Sequence, residues 1–208
     1  MHIILASASP RRRELIHQIG WTEEICPSSF SEAATLKEAR ARLGEFPEDV
    51  CREISRVEDA GLVTLFNAYG KGKRICEEKG DEVPIVAADT VVTLDGDILG
   101  KPRDTNDARA MLRLLSGREH EVKTGLAVFH AGRVQLHVET TRVYFRKLSD
   151  LEIDRYVETG EPMDKAGAYG IQGRGAILVS KIEGSYDNVV GLPLTALYEM
   201  INGITFSE

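Results

Sequence analysis

The stretch IVAADTVVTLDGDILGKP, residues 85–102, decides how this chain folds. Its first half is an apolar run typical of a buried β-strand, and the Asp-Gly pair that begins at Asp95 is a strong signal for a tight hairpin. Asp89 and Thr90 interrupt the apolar run, and an acid that loses water inside a protein needs a partner. Lys101 follows the returning strand, so the stretch predicts a carboxylate, a hydroxyl and an ammonium at one cleft. The alternative is that the Asp-Thr pair satisfies backbone groups at an irregular strand.

The N-terminal segment has the pattern of a strand, a turn and the start of a helix. Residues 2–6 are apolar, and Ser9 before Pro10 has the form of an N-cap followed by proline at the first helical position. A helix N-terminus attracts phosphate, yet residues 11–13 are three arginines placed where the helix dipole disfavours cations. The conflict favours a phosphate-binding site over a solvated basic run. Arg13 is the arginine expected to point to solvent.

Residues 36–80 are charged and helix-compatible, which predicts one long helix or two stacked ones. Two glycines and two lysines at residues 67–73 interrupt the pattern. Taken alone, this interruption favours a flexible, exposed break. The alternative is a place where a lysine, Lys71, is directed toward the cleft.

Helices and strands alternate in the second half of the chain. The patterns predict a helix at Thr105–Leu115, strands at 122–129 and 134–145, a helix at 149–159, a strand at 176–182 and a helix at 192–201. A further strand is predicted at 21–27. Residues 166–175, AGAYGIQGRG, contain four glycines and must form a loop, whose amide groups can approach an anion or a ring. Gln172 offers a donor and an acceptor within that loop.

Composition narrows the class of protein. A chain of 208 residues with 42% hydrophobic residues fits a single domain over residues 1–208, of α/β class with a mixed sheet. A formal net charge of −7 argues against nucleic acid or anionic membrane as a partner. No apolar run approaches the ~20 residues of a membrane span, and no signal peptide is evident, so we expect a cytoplasmic protein. The three cysteines have no metal-ligand spacing and are interpreted as reduced.

The candidate site residues form a mixed acidic and basic set. The acids are Asp89 and Glu32, the basic groups are residues 11–13, Lys71 and Lys101, and the amide is Gln172. Carboxylates that hold a divalent cation, with cations that neutralise phosphate, suit a metal-bound polyphosphate. The sequence lacks GxxxxGK[ST], HExxH and GxSxG, which removes the commonest competing enzyme classes.

Several motifs together resemble one family over nearly the whole chain. They are LASASPRRREL, VAADTVV, LGKP, LSGREHEVKTG, EPMDKAGAYGIQGRGA and KIEGSYDNVVGLPL, and they are similar to the Maf family, also called septum-formation inhibitor proteins. The resemblance implies a nucleoside triphosphate pyrophosphatase with a two-lobed α/β fold similar to inosine-triphosphate pyrophosphatases. It also implies a divalent cation, Mg²⁺ or Mn²⁺. The form AGAYGIQG resembles the branch that acts on dTTP and UTP rather than on 7-methyl-GTP.

The resemblance also assigns roles to individual residues. Asp89 matches the catalytic acid and, with Glu32, the metal site. The residues expected to bind substrate are Ser9, Arg11, Arg12, Lys71, Thr90, Lys101 and Gln172, of which Arg11, Thr90 and Gln172 are linked to substrate choice. Two departures concern Ser31, where the family has an acid, and Gly72, where it has alanine after the lysine.

Two other functions remain open at this point. One is a nucleotide-binding regulator of cell division with little turnover, and the other is a purine pyrophosphatase of the inosine-triphosphate type. Asp89 argues against a pure binder, since a carboxylate that faces a triphosphate is repulsive unless it holds metal or takes a proton. The oligomeric state stays open between a monomer and a homodimer.

Overall fold

The computed structural model describes residues 1–205 and contains a seven-stranded mixed sheet. In chain order the elements are β1 (His2–Leu5), α1 (Pro10–Gln18), β2 (Thr22–Ile25), α2 (Leu36–Arg42), α3 (Glu48–Ile54), α4 (Gly61–Lys79), β3 (Ile85–Leu94), β4 (Asp97–Leu99), α5 (Thr105–Leu115), β5 (Glu119–His130), β6 (Arg133–Phe145), α6 (Asp150–Val157), β7 (Val179–Glu183), α7 (Tyr186–Val190) and α8 (Leu194–Thr205). Every helix within residues 1–205 is too short or too polar to cross a membrane.

The sheet has the strand order β2-β1-β3-β5-β6-β7, and β4 pairs with β3 at one end. β1 runs parallel to both β2 and β3. The pairs β3–β4, β3–β5, β5–β6 and β6–β7 are antiparallel. The prediction of an α/β fold with a mixed sheet is therefore confirmed.

The hairpin predicted from Asp95 joins β3 to β4. Asp95 and Gly96 have φ values of 54° and 90°, and Val92 pairs with Leu99 across the turn. Both turn residues lie in the left-handed region, which Gly and Asp adopt more readily than most residues. A similar turn joins β5 to β6, where Ala131 and Gly132 have φ values of 50° and 73°.

Strand β3 separates the hydrophobic core into layers because its side chains alternate between the two faces of the sheet. Ile85 and Ala87 pack with α2, α3 and α4, whereas Val86 and Ala88 pack on the opposite face with α1 and α8. Farther along the strand, Val92 packs with α5 and α6 in a third cluster. The long strands therefore connect two groups of helices, and the region between these groups is where a cleft can form.

The break predicted at residues 67–73 was wrong, because α4 runs without interruption through both glycines. Residues 61–70 are all buried. A Cβ on Gly70 would lie 2.2 Å from Cζ of Phe30, and one on Gly72 would lie 2.3 Å from Cε2 of Phe129. Each glycine costs about 1 kcal/mol in helix propensity relative to alanine. Here they allow two aromatic rings to pack against the helix backbone, so tertiary contact overrides the local signal.

Most other boundaries agree with the sequence patterns, with two differences. Residues 36–80, expected to form one or two helices, form three, which are α2, α3 and α4. The predicted strand at 176–182 begins only at Val179, because Gly173–Leu178 forms a 3-10 turn. Residues 166–175 form the expected irregular loop, with φ values of 67° at Gly167 and 62° at Gly173.

Candidate active site

A gap along one edge of β3 creates the cleft. β1 pairs with β3 only at Ile85 and Val86, because the chain leaves β1 at Leu5 to enter α1. On the same edge of β3, pairing resumes at Val92, where β4 lies beside it. Between these points, no strand of the described residues lies beside residues 87–91 on that edge, and a cavity of about 610 Å³ opens there. This volume is within the usual range for small-molecule sites.

The gap explains how neighbouring residues of one strand can share a cavity. Asp89 and Thr90 point to opposite faces of the sheet, yet both line the cavity. Asp89 meets α4 on one face, and Thr90 meets α1 on the other. An open strand edge makes both faces accessible from one space, so the cavity collects side chains from two layers of the fold.

On the α4 side, Lys71 connects two carboxylates. Its Nζ lies 2.8 Å from Oδ1 of Asp89 and 2.9 Å from Oε2 of Glu32. The side chains of Lys71 and Asp89 are each 12% exposed, whereas that of Glu32 is 52% exposed. The structure therefore brings together the buried acid, the lysine and the second acid that the sequence identified separately.

Asn67, one helical turn before Lys71, was missed by the sequence interpretation. Its Nδ2 donates to Oδ2 of Asp89 at 2.9 Å and to the carbonyl of Ala33 at 3.0 Å, while its Oδ1 accepts from the amide of Ala33 at 2.8 Å. These bonds fix the loop that carries Glu32 against α4. A polar residue inside an apolar helical run, four positions before a lysine, is the signal that could have identified it.

The charge state of Asp89 follows from these contacts. Burial acts to raise the pKa of Asp89, but the charge and hydrogen bond of Lys71, the hydrogen bond of Asn67 and the charge of Arg12 outweigh it. The pKa of Asp89 is therefore held below its ordinary value. Its carboxylate is ionised at neutral pH, as a proton acceptor or a metal ligand must be.

On the α1 side, Arg12 is held by three neutral oxygens. Nε donates to the carbonyl of Gly191 at 2.7 Å, Nη1 to Oγ of Ser7 at 3.1 Å and Nη2 to Oγ1 of Thr90 at 3.1 Å. Burial lowers the pKa of Arg12, an effect that the charges of Asp89 and Glu32 partly offset. Arg12 thus brings a positive charge into the cavity, and no carboxylate touches it among the contacts of the described residues.

The other two arginines have different positions. Arg11 donates to Oδ2 of Asp164 at 3.3 Å, across the mouth of the cavity. Arg13 pairs with Glu23 at 2.9 Å, and its side chain is 58% exposed. The expectation that Arg13 points to solvent agrees with this position.

Nearly all of the predicted site residues line one cavity. They are Ser9, Arg11, Arg12, Glu32, Lys71, Asp89, Thr90 and Lys101. Side chains that the sequence interpretation did not select also line it, namely Ser7, Asn67, Asp164, Lys165 and Tyr169. These residues come from distant loops and helices, and their convergence depends on the fold.

Gln172 is the exception, since it is only half-buried and is not among the residues that line the cavity. The backbone around it is fixed instead by Glu161, whose carboxylate accepts from the amides of Arg174 at 3.1 Å and Gly175 at 3.3 Å. The loop contributes Ala166 and Tyr169 to the cavity wall. The link between Gln172 and substrate choice therefore stays a prediction, and the cavity wall does not include this residue.

The donor set restricts which metal site the cavity could form. Within residues 1–205, no group of three or more His, Cys, Asp and Glu side chains could hold an ion. Asp89 and Glu32 supply two carboxylates on either side of Lys71. Mg²⁺ is commonly bound by one or two carboxylates together with substrate phosphates. The residues therefore fit a divalent cation that binds together with a polyphosphate, and they do not fit an all-protein cage.

Comparisons with known proteins agree with this geometry. A family model described as "Maf-like protein" matches residues 2–204. Relatives named dTTP/UTP pyrophosphatase include one from Agathobacter rectalis, 44% identical over 95% of this chain and 94% of the relative. Another, from Dictyoglomus turgidum, is 44% identical over 99% of this chain and 97% of the relative.

Solved structures with a similar fold are more distant in sequence. The Ham1 protein of Staphylococcus aureus has a TM-score of 0.52 at 13% identity, with 98% of this chain and 100% of that chain covered. A HAM1 protein from Coxiella burnetii has a TM-score of 0.51 at 13% identity, with 99% and 98% covered. These likenesses concern the fold alone.

Proposed function

The chain belongs to the Maf family, and from this premise we propose that it hydrolyses dTTP and UTP to the nucleoside monophosphate and pyrophosphate. The names of relatives at 40–44% identity support this substrate class. The reaction would remove nucleoside triphosphates from the cytoplasmic pool, a housecleaning role. The net charge of −7 is consistent with a small nucleotide, rather than nucleic acid, as the partner.

The observation that carries the proposal is an ionised carboxylate, Asp89, in the same cavity as several cations. Arg11, Arg12, Lys71 and Lys101 can neutralise the oxygens of a triphosphate and of a departing pyrophosphate. Asp89 can accept a proton from a water held in line with the α-phosphorus. A protein that only binds nucleotides gains nothing from an ionised carboxylate at this position.

We further propose that Asp89 and Glu32 hold a divalent cation, Mg²⁺ or Mn²⁺. The two carboxylates support this proposal, because phosphate oxygens of the substrate would complete the coordination of the ion. When bound, the ion supplies a Lewis acid that polarises phosphoryl oxygens. Lys71 contributes independently of the ion, since its ammonium lies between the two carboxylates and keeps Asp89 in its ionised form.

A panel of nucleoside triphosphates tests the reaction. UTP, dTTP, CTP, ATP, GTP and ITP are supplied with Mg²⁺, and pyrophosphate and orthophosphate are measured separately. We expect pyrophosphate as the first product, with UTP and dTTP preferred. Orthophosphate as the first product would contradict the proposal, and preferred hydrolysis of ITP would favour a purine pyrophosphatase.

Asp89→Asn is the matched variant for this panel. It keeps the shape of the side chain and removes the charge, so we expect the rate to fall about 10²- to 10⁴-fold while the protein stays folded. Asp97→Asn, an exposed change on β4, is the control and should keep the parent rate. A near-normal rate in Asp89→Asn would remove this residue from the mechanism.

A further inference from the structure

Helix α7 lies on the sheet over a layer of buried polar side chains that the proposed chemistry does not use. Thr124 on β5, Thr141 on β6 and Asn188 on α7 are each 0% exposed. Polar groups removed from water are costly unless they are hydrogen-bonded. These three side chains therefore need hydrogen-bond partners within the protein.

One branch of this layer attaches α7 to the sheet. Nδ2 of Asn188 donates to the carbonyl of Val122 at 3.0 Å and to Oγ1 of Thr141 at 2.9 Å. Oγ1 of Thr141 donates to the carbonyl of Ser185 at 3.0 Å, at the start of the helix. These bonds fix both the position and the rotation of a helix only five residues long.

A second branch leads from α7 to Arg12 in the cavity. Oγ1 of Thr124 donates to the carbonyl of Asn188 at 3.3 Å, and it lies 2.9 Å from Oγ1 of Thr90. Thr90 in turn accepts from Nη2 of Arg12 at 3.1 Å. Arg12 also reaches the C-terminal end of α7 directly, through the carbonyl of Gly191. The guanidinium is therefore held at two points that both depend on α7.

Counting hydroxyl protons gives a consistent direction for this series of hydrogen bonds. A threonine hydroxyl has one proton and two lone pairs. In the arrangement that satisfies the carbonyl of Asn188, which can only accept, Thr124 gives its proton to that carbonyl and Thr90 donates to Thr124. Arg12 donates to the oxygen of Thr90. The order is Arg12 to Thr90 to Thr124 to the Asn188 carbonyl, and Thr90 has no proton left to donate to a substrate.

We propose that Thr124 is a positioning residue for Arg12, that it acts through the hydroxyl of Thr90, and that Thr90 influences substrate binding through Arg12 rather than as a donor to substrate. Arg12 has five N–H donors, of which three are used on protein oxygens. Two remain for an anion in the cavity. The inference rests on the proposed function, because the phosphate groups of the nucleotide are the anion that Arg12 would meet.

Thr124→Val removes the hydroxyl and keeps the shape of the side chain. The proton of Thr90 then loses its acceptor and Arg12 loses its fixed position. We expect kcat/KM for UTP to fall about 10- to 100-fold, the size of one lost charge-assisted hydrogen bond from Arg12 to the substrate. Thr124→Ser keeps the hydroxyl and should stay within about threefold of the parent. Thr93→Val is the matched control: Thr93 is a buried threonine of β3 that does not line the cavity, and this change should leave kcat/KM unaltered.

A double-mutant cycle separates positioning from general damage to the fold. In an Arg12→Lys background the guanidinium that Thr90 and Thr124 hold in place is absent, so Thr124→Val should cause no further loss. Additive losses, or equal losses in Thr124→Val and Thr93→Val, would overturn the inference. If Thr124→Val fails to fold, Thr90→Val and Thr90→Ser are measured in the parent and in the Arg12→Lys background. Thr90→Val should then lower kcat/KM in the parent and cause no further loss beside Arg12→Lys.

Failure of the proposed function would be visible separately, as absence of UTP and dTTP turnover in the parent protein. The same cycle would then be measured as the Kd of inorganic tripolyphosphate by calorimetry. Weaker binding in Thr124→Val that disappears in the Arg12→Lys background would support the inference without turnover. Absence of tripolyphosphate binding by an inactive parent would overturn it, because Arg12 would then have no anion to be positioned for.

Discussion

At the scale of the residue, the site depends on polar side chains that are buried only because each has a partner. Asn67 is 2% exposed and makes three hydrogen bonds, two to the backbone of Ala33 and one to Asp89. It therefore couples the position of the loop with Glu32 to the position of the proposed base.

Asn67→Ala tests this coupling. The change leaves the amide and carbonyl of Ala33 and one oxygen of Asp89 unpaired, at about 1–3 kcal/mol for each buried group that finds no water. We expect both a lower free energy of unfolding in urea and a lower kcat/KM for UTP. Asn106→Ala, at an exposed position in the first turn of α5, is the control and should change neither. A stable Asn67→Ala variant with the parent rate would show that the loop is held by other contacts.

At the scale of the element, the approach of α4 to the sheet sets the geometry of the cleft. Asp89 is carried by β3, while Asn67 and Lys71 are carried by α4. The helix lies so close to β5 that a Cβ on Gly125 would fall 2.4 Å from the carbonyl carbon of Thr64 and 2.6 Å from the amide nitrogen of Leu65. These are backbone atoms, so the helix itself would have to move to make room.

Gly125→Ala is therefore expected to displace α4 from the sheet. Overpacking in a filled core costs about 1–3 kcal/mol, and a shifted α4 would also move Lys71 relative to Asp89. We expect a lower urea midpoint together with reduced UTP hydrolysis. Gly44→Ala is the control, because a Cβ there meets nothing within 4 Å, and it should change neither measurement. Full activity in Gly125→Ala would mean that the cleft tolerates a shift of the helix.

At the scale of the whole molecule, we expect a buried histidine near the cleft to make the free energy of unfolding depend on pH. His120 on β5 is 2% exposed, and its Nε2 lies 2.7 Å from the hydroxyl of Tyr169, whose ring lines the cavity. Burial lowers the pKa of His120 to about 4 from a value of 6.5. Below pH 6.5 the unfolded chain therefore binds a proton that the folded protein does not. The contribution of His120 to stability falls as the pH drops from 6.5 toward about 4.

His120→Gln tests this dependence, because an amide can still hydrogen-bond to Tyr169 but does not titrate. The parent should lose up to about 1.4 kcal/mol of unfolding free energy per pH unit from this residue between pH 6.5 and 4. The variant should lack that part of the slope. Urea unfolding at pH 5, 6, 7 and 8 measures it, and above pH 7 the two proteins should show the same pH dependence. Parallel curves down to pH 5 would exclude the buried histidine as the source.

The sequence by itself determined the elements whose signals are local. The Asp95 hairpin, the helix at Thr105–Leu115 and the helix predicted at 149–159 follow from patterns of nearby residues, and each is present. Such features depend on contacts a few positions apart, which a linear pattern displays. The candidate acids and cations were also identified from the sequence, in part through the motifs that resemble one family. Six of these acids and cations, together with Ser9 and Thr90, line one cavity.

Only the tertiary structure decided which of these residues face one another and what holds them. The run at residues 67–73 has a local pattern of weak helix, and it is helical because Phe30 and Phe129 pack against its glycines. Gln172 offers both a donor and an acceptor, yet the residue of this loop region that lines the cavity with a polar side chain is Tyr169. Asn67 and Thr124 gain their importance from partners 22 to 64 positions apart in the chain. Contacts at that separation form when a sheet brings distant segments together, and no local pattern records them.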